Sequence, residues 1–284
     1  MYHSFDFFLC RTPYFPFSAI QDFGIIQHEP VFKEMLQIAT PDLSDSLEKG
    51  ENRALYSAYR YYQRACTRPT PFGLFAGCSV GTIGDKTEIQ LAEQNQYKRV
   101  TRLDMNYICA LLQLIERNKI IREQLHYYPN SSMYPVKEHF RYVECLYKST
   151  RRALRITQVE MSEYLTKVLS LASGGTGTLF SVLAASLVDN EISIETANDF
   201  IHELINIQVL VSELEPAVTN IQPLSSLIAK LKNLQNIDQH FIAVLADIEA
   251  SLNAIDLQAI GATGAIYPSI IKQVEKTGVK AEIK

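Results

Sequence analysis

The sequence predicts an α+β fold in which mixed antiparallel sheets pack with helices. Three observations carry that expectation. Segments with apolar residues at helical spacing (53–64, 104–115) and segments of strand length (133–137, 140–148, 153–159) come in separate blocks rather than in regular succession. Gly84-Asp85-Lys86 joins two apolar runs, 74–83 and 87–91, as a hairpin would. A hydrophobic content of 47% against 20% charged residues is that of a chain with a globular core. At 284 residues that core can serve one large domain or two modest ones.

Phe5 to Cys10 is a short apolar run ending at Arg11-Thr12-Pro13, and reads as a buried strand entering an extended turn. Residues 31–39 are ambiguous between helix and strand. Thr40-Pro41 supplies an N-cap with proline at the first helical position, so a short helix is expected through Leu47, ended by Gly50. A helix from Arg53 to Arg64 carries Leu55, Ala58, Tyr59, Tyr62 and Cys66 on one side and Arg53, Arg60 and Arg64 on the other. Pro69 disfavours helical geometry at Arg68, so the helix ends there. Pro71 fixes a second φ nearby, while Gly73 and Gly77 free the backbone. The predicted product is a stiff, extended exit from a helix with fixed positive charge. Such arginines suit bidentate recognition of phosphate or carboxylate. A solvated charged face followed by a plain connector explains the same residues as well.

Lys98 to Leu103 reads as a strand. Asp104 then begins a helix with Tyr107, Ile108, Leu111, Leu112 and Ile115 on its apolar side, and its carboxylate suits the N-cap position. After the strands at 133–159, helices are expected at 162–173, 178–187 and 195–207, the last capped at Ser193 or its neighbours. Gly174-Gly175-Thr176-Gly177 is a turn and not a phosphate loop, because it lacks the Gly-Lys-Ser/Thr ending and follows a helix. Val209 to Val211 is a strand. Strands, three helices and a strand resemble a winged helix. Its third helix carries Glu195, Asp199 and Glu203 with no lysine or arginine, which suits a DNA backbone poorly. A free sheet edge that takes an extended peptide as one more strand is the better expectation, with Tyr142, Val143, Leu154 and Ile156 as candidate peptide contacts. Two amphipathic helices (225–234, 240–252), a linker at 261–267, a short helix at 268–276 and an alternating Val279, Ala281, Ile283 strand close the chain. Three parts follow: an α+β part at 1–128, a winged-helix-like element at 129–215 and a helical segment at 216–284 that ends on an unfinished strand.

A net charge of −4 argues against a protein that coats nucleic acid, yet local basic clusters remain at 53–68, 98–102 and 148–155. The five cysteines are odd in number and form no Cys-x-x-Cys or zinc spacing, so buried free thiols in a reducing cytosol are expected and no metal is. No apolar run reaches the roughly 18 residues that span a bilayer, and no signal peptide opens the chain, which reads as cytoplasmic. No nucleophile triad, metal box or nucleotide loop is present.

One long motif carries a resemblance. Arg68-Pro-Thr-Pro-Phe-Gly-Leu-Phe-Ala-Gly77, after Tyr61-Tyr62-Gln63-Arg64, resembles the signature of the lantibiotic dehydratase family in its amino-terminal, glutamylating part. Arg11-Thr12-Pro13, Arg102-Leu103-Asp104 and Leu210 to Pro216 match further family segments in the same order. The resemblance implies a substrate, a ribosomal precursor peptide whose leader is held on a winged-helix element, and a co-substrate, glutamyl-tRNA, with no other cofactor. It implies transfer of the glutamyl group to a Ser or Thr hydroxyl, followed by elimination in a separate domain or partner subunit. On this sequence it implies a site of Arg64, Arg68, Thr70, Arg11 and Asp104, with Arg53, Arg60, Arg64 and Arg68 on the tRNA. Family members are far longer, so this chain reads as a fragment that is inactive by itself. A non-catalytic peptide-holding module and a related ligase that uses aminoacyl-tRNA are the alternatives.

Overall fold

A computed structural model describes residues 4–148, 151–262 and 266–279. The chain divides into two compact units. The first contains residues up to Thr101 together with Ser251–Lys272, and the second contains Arg102–Ala250 together with a short return from Gln273. The architecture is α+β, with small antiparallel sheets and helices, as the sequence predicts.

In the first unit, β1 (Phe7–Pro13) is followed by α1 (Phe23–Ile26), α2 (Pro30–Ala39), α3 (Pro41–Glu48), α4 (Asn52–Thr67) and β2 (Ala76–Thr82). The ambiguous stretch after Val31 is therefore a helix, with Phe32, Met35 and Leu36 buried at i, i+3 and i+4. The helix that opens at Thr40-Pro41 is present, but no Thr40 side chain caps it. On α4 the buried stripe is Ala54, Ala58, Tyr62, Ala65 and Cys66, and Leu55 lies one position off it in solvent. Arg68 adopts the extended φ −111°, ψ 115° that Pro69 dictates, and the helix stops.

Three expectations in this unit are corrected. β1 is a strand but not a buried one: it pairs antiparallel with β2 alone, from Phe7 opposite Thr82 to Pro13 opposite Ala76, and most of its side chains face solvent. The expected hairpin about Gly84 does not form, because β2 takes its partner from the distant β1 and residues 87–91 are irregular. Residues 98–103 are extended coil rather than a strand, held by side chains instead of a ladder. The buried Arg99 pairs with the buried Glu34 and donates to the carbonyls of Gln258 and Ala259, each at 3.1 Å. Glu34 also accepts from the Tyr267 hydroxyl at 2.7 Å. A buried pair is retained only when such extra bonds satisfy both charges.

The core of this unit centres on Tyr62, Phe32, Phe75, Met35 and Leu36, all fully or almost fully buried. Two backbone bonds lock the exit of α4 to the end of β1: Tyr14 N–H donates to Phe75 O and Phe15 N–H to Ala65 O, both at 3.0 Å.

The second unit opens with α5 (Met105–Glu116), where Asp104 accepts from the Asn106 N–H at 2.7 Å as a cap. Then come α6 (Lys119–Arg122), β3 (His126–Pro129), β4 (Tyr134–Val136), β5 (His139–Lys148), β6 (Arg151–Glu160), α7 (Glu163–Ala172), β7 (Thr178–Leu179), α8 (Phe180–Leu187), α9 (Ile194–Asn206), β8 (Leu210–Ser212) and α10 (Pro223–Leu231). Ser162 and Ser193 cap α7 and α9 through their hydroxyls. The helix expected from Thr178 starts two residues late, since Thr178–Leu179 pair with β3. One sheet has the order β7-β3-β8 and the other β4-β5-β6, all antiparallel. α11 (Gln239–Asp256) and α12 (Tyr267–Glu275) follow. The final strand expected through Ala281 and Ile283, and the middle of the linker before Tyr267, lie outside the described residues.

Candidate functional site

α4 places its charged side chains by its period. Ser57, Arg60, Tyr61, Gln63, Arg64, Thr67 and Arg68 share one flank of the helix and its exit, and with Ile20 they line a cavity of about 590 Å³. That volume lies within the range of small-molecule sites. Ile20 is positioned from a 3-10 turn at Phe17–Gln21, where the Tyr62 hydroxyl donates to the carbonyl of Ala19. Burial pushes the Tyr62 phenol well above its ordinary pKa, so it remains a donor.

The corner after α4 supports one arginine from above. The Arg64 Cζ lies 4.6 Å from the centroid of the Phe72 ring, a cation–π contact. Phe72 packs on Phe75, and Phe75 on Tyr61, each pair with centroids 5.7 Å apart. A bond from Phe75 N–H to Phe72 O at 3.0 Å closes the turn, and Gly73 within it has φ +51°. A residue with a side chain is strained there. The Arg64 Nε is buried and has no hydrogen-bond partner among the described residues. An orphaned buried N–H is costly unless a ligand satisfies it, and an anion is the ligand of choice for a guanidinium.

Of the predicted site residues, Arg60, Arg64 and Arg68 are brought together in this cavity. Arg53 and Thr70 are exposed and do not line it. Arg11 lies exposed on β1, opposite Cys78. Asp104 belongs to the second unit, as the cap of α5. Ser57, Tyr61, Gln63 and Thr67 escaped the sequence reading, although their spacing from Arg60 and Arg64 would have found them. Ile20 is distant in sequence and carried no signal.

The second unit presents a sheet edge. β5 is the middle strand, with β4 on one side and β6 on the other. Past the end of β4 its outer edge is closed by side chains that imitate a strand. Val143 N–H donates to Ser132 Oγ at 2.9 Å and Val143 O accepts from Asn130 Nδ2 at 3.1 Å. Gln208, held at φ 59°, accepts from Cys145 N–H at 2.8 Å and donates to Cys145 O at 2.9 Å. Residues 143 and 145 thus turn their backbone groups away from β6, so 142, 144 and 146 pair with 157, 155 and 153. On β6 the N–H and C=O of Leu154 and Ile156 consequently point outward along the free edge. Their side chains are 74% and 69% exposed. Tyr142, by contrast, is buried and donates to the Ile207 carbonyl at 2.8 Å, and Val143 is half-buried, so neither of these expected peptide contacts is on the open edge.

Two carboxylates of the second unit have raised pKa values. Burial lifts Glu116 despite the bond it accepts from Ser212, and burial lifts Glu215 against the pull of Arg152. Burial pushes the Cys109 thiol up to about 11, which leaves it inert as a nucleophile. Of the five free cysteines, Cys66 and Cys109 are buried while Cys78 is exposed on the paired, uncovered β2. Among the described residues no cluster of His, Cys, Asp and Glu could hold a metal, and no helix is long and apolar enough to cross a membrane.

The family model for the N terminus of lantibiotic dehydratases matches residues 28–283. The chain belongs to the lantibiotic dehydratase family. Subtilin biosynthesis protein SpaB of Bacillus subtilis is 24% identical across 97% of this chain and 28% of its own length. Epidermin biosynthesis protein EpiB of Staphylococcus epidermidis is 21% identical across 80% of the chain and 24% of its own. In fold, the chain is similar to the tRNA-dependent lantibiotic dehydratase MibB of Microbispora sp. 107891, with TM-score 0.74 at 20% identity, covering 96% of this chain and 27% of that one. The glutamylation domain of TbtB, from thiomuracin biosynthesis, matches with TM-score 0.59 at 14% identity, covering 94% and 33%. The lantibiotic dehydratase chain described here therefore spans about a quarter to a third of these relatives.

Proposed function

We propose that this chain is the part of a lantibiotic dehydratase that receives glutamyl-tRNA and holds the precursor peptide for glutamylation. The observation that carries the reading is the gathering of Arg60, Arg64 and Arg68 around one cavity, with a buried Arg64 Nε that has no hydrogen-bond partner among the described residues. A glutamyl ester on tRNA is already activated. The Ser or Thr hydroxyl of the peptide attacks its carbonyl, the new ester forms, and the tRNA leaves as its free 3′ hydroxyl. Positioning and charge stabilisation supply most of what such a step needs. In this reading the three arginines hold the phosphates of the tRNA end or the glutamate carboxylate. Arg53 extends the tRNA contact along α4, outside the cavity. Elimination of glutamate takes place elsewhere, in another domain or a partner subunit. A tRNA-dependent step places the protein in the cytoplasm.

Peptide holding falls to the second unit. In this reading the order α7, β7, α8, α9, β8, with β3 completing the sheet, serves as the winged-helix-like element, and the open edge of β6 suits an added strand. That edge also favours the second reading, a peptide-holding module without catalysis. Binding of aminoacylated tRNA to the purified chain decides between them. The first reading expects salt-sensitive binding that falls at least tenfold in Arg64→Ala and Arg68→Ala. Equal binding by wild type and both variants would reject it and leave the holder.

A further inference from the structure

The cavity beside α4 is graded in depth, and its three arginines stand at different levels. Arg64 is half-buried, as are Ile20, Ser57, Tyr61 and Gln63 around it. Arg60, Thr67 and Arg68 are exposed and form the rim. Arg60 precedes Arg64 by about one helical turn, and Arg68 follows it by the same interval, just past the end of α4. Burial changes what a guanidinium can recognise. On the rim it meets an anion that keeps much of its water, and salt screens the contact. Arg64 is held otherwise. Its guanidinium lies over the Phe72 ring, and its Nε–H is buried with no hydrogen-bond partner among the described residues. A guanidinium fixed in this way, with an Nε–H to satisfy, fits a planar anion of two oxygens side-on, through Nε–H and one Nη–H.

We propose that Arg64 reads the side-chain carboxylate of the transferred glutamate, while Arg60 and Arg68 hold backbone phosphates of the tRNA end. Arg64 is then the residue that selects the amino acid. This assignment rests on the cavity being the aminoacyl-tRNA site. Shape sets the order of the contacts. A volume of about 590 Å³ admits the tip of a tRNA and not its stem, and the amino acid is that tip. Entry by the tip puts the glutamyl group deepest and leaves the phosphates, a ribose and more behind it, at the rim. Chemistry sets the same order. Phosphates in a strand bring condensed counterions, which exposed cations release. A single carboxylate has no such atmosphere, and its attraction to a cation is strongest where water is excluded. A glutamine amide in the same place offers one acceptor and turns its NH2 donor against the second N–H, which stays unpaired.

The test is binding of this chain to one tRNA in three states: deacylated, glutamyl and glutaminyl, the last two joined through an amide so that the bond survives the measurement. Fluorescence titrations are run over a series of salt concentrations. Wild type should favour the glutamyl form over the other two by at least about tenfold. Arg64→Ala should lose that preference and bind all three forms as wild type binds the deacylated one, with an unchanged salt slope for deacylated tRNA. Arg60→Ala and Arg68→Ala should keep the preference and weaken every form alike. Each should lower the slope by about 0.7, the share of one single-strand phosphate. Arg64→Lys carries the test if circular dichroism shows Arg64→Ala to be unfolded. It keeps the charge without the fork, so its slope should match wild type while the preference shrinks without vanishing. An equal loss for all three forms in the Arg64 variants, with a lower slope, would put a phosphate at Arg64 and overturn the proposal. A wild type that binds the three forms equally would also overturn it, and would leave tRNA binding by the cavity standing. A wild type that binds none of them removes both.

Discussion

Arg64 lies on the face of Phe72, its Cζ 4.6 Å from the ring centroid, and this joins the last turn of α4 to the proline-stiffened corner that follows it. The contact explains why a proline-rich exit suits an arginine site: it returns an aromatic ring over the helix it has just left. Cation–π contacts contribute about 0.5–1 kcal/mol at exposed positions and more when desolvated. Phe72→Leu should therefore weaken tRNA binding by roughly two- to fivefold, less than Arg64→Ala. Arg64→Lys should restore binding only in part, because an ammonium keeps the charge and can lie over a ring but offers no planar fork. Filter binding at several salt concentrations measures all three. Full rescue by lysine would show that charge alone matters.

Gly73 sits at φ +51° in the turn that carries Phe72. A Cβ there would meet only Ile38, at an ordinary 3.6 Å, so the cost of a side chain is conformational rather than steric. Gly73→Ala should cost about 1–2 kcal/mol, read as a melting temperature lower by several degrees, and should reduce tRNA affinity by moving Phe72. Gly73→Asn, which tolerates the left-handed region better, should cost less. Equal stability of both variants and wild type would contradict the assigned turn.

Glu116 is half-buried and accepts from Ser212, and desolvation raises its folded pKa above the unfolded value. A raised carboxyl pKa means that the folded state binds the proton more tightly. Its stabilising contribution is complete below the unfolded pKa and is lost as pH rises through the folded one. Glu116→Gln keeps an acceptor for Ser212 and carries no charge. The variant should match wild type in thermal melts near pH 4.5 and exceed it at pH 7.5. His202 works in the opposite direction: burial lowers its pKa, so its share of stability is present above its unfolded value and falls away as pH drops. His202→Phe should accordingly flatten the acid side of the same profile.

The sequence made the helices legible because each carries its own signals: the caps at Asp104, Ser162 and Ser193, and the proline that ends α4 at Arg68. The three strands of the β4-β5-β6 sheet were legible for the same reason, since they pair locally. What escaped was non-local. β2 pairs with a strand over sixty residues earlier, and a local rule assigned it to a hairpin about Gly84. Residues 98–103 look like a strand, but their extended backbone is held by Glu34 and by the carboxylate of Asp256, which accepts from Thr101 N–H at 2.9 Å. The arginine cavity was legible as a charged helix face followed by a stiff corner. Nothing local distinguished Arg60, which reaches the cavity, from Arg53, two turns earlier, which does not.

The same distinction between local signal and backbone direction sets the test of the β6 edge. Proline removes one N–H, and in a sheet it is tolerated where that N–H faces solvent. Leu154 and Ile156 turn their N–H groups outward, while Arg155 turns its own toward Glu144 of β5. Leu154→Pro should therefore leave circular dichroism and melting close to wild type and lower affinity for a fluorescent leader peptide at least tenfold. Arg155→Pro should break the ladder and also the Arg155–Glu144 pair at 2.6 Å, with a loss of stability. A leader that binds Leu154→Pro as tightly as wild type uses some other surface. A Leu154→Pro variant that unfolds as readily as Arg155→Pro would show that the outward side of β6 is its paired side, and the peptide-holding assignment would then move off this strand.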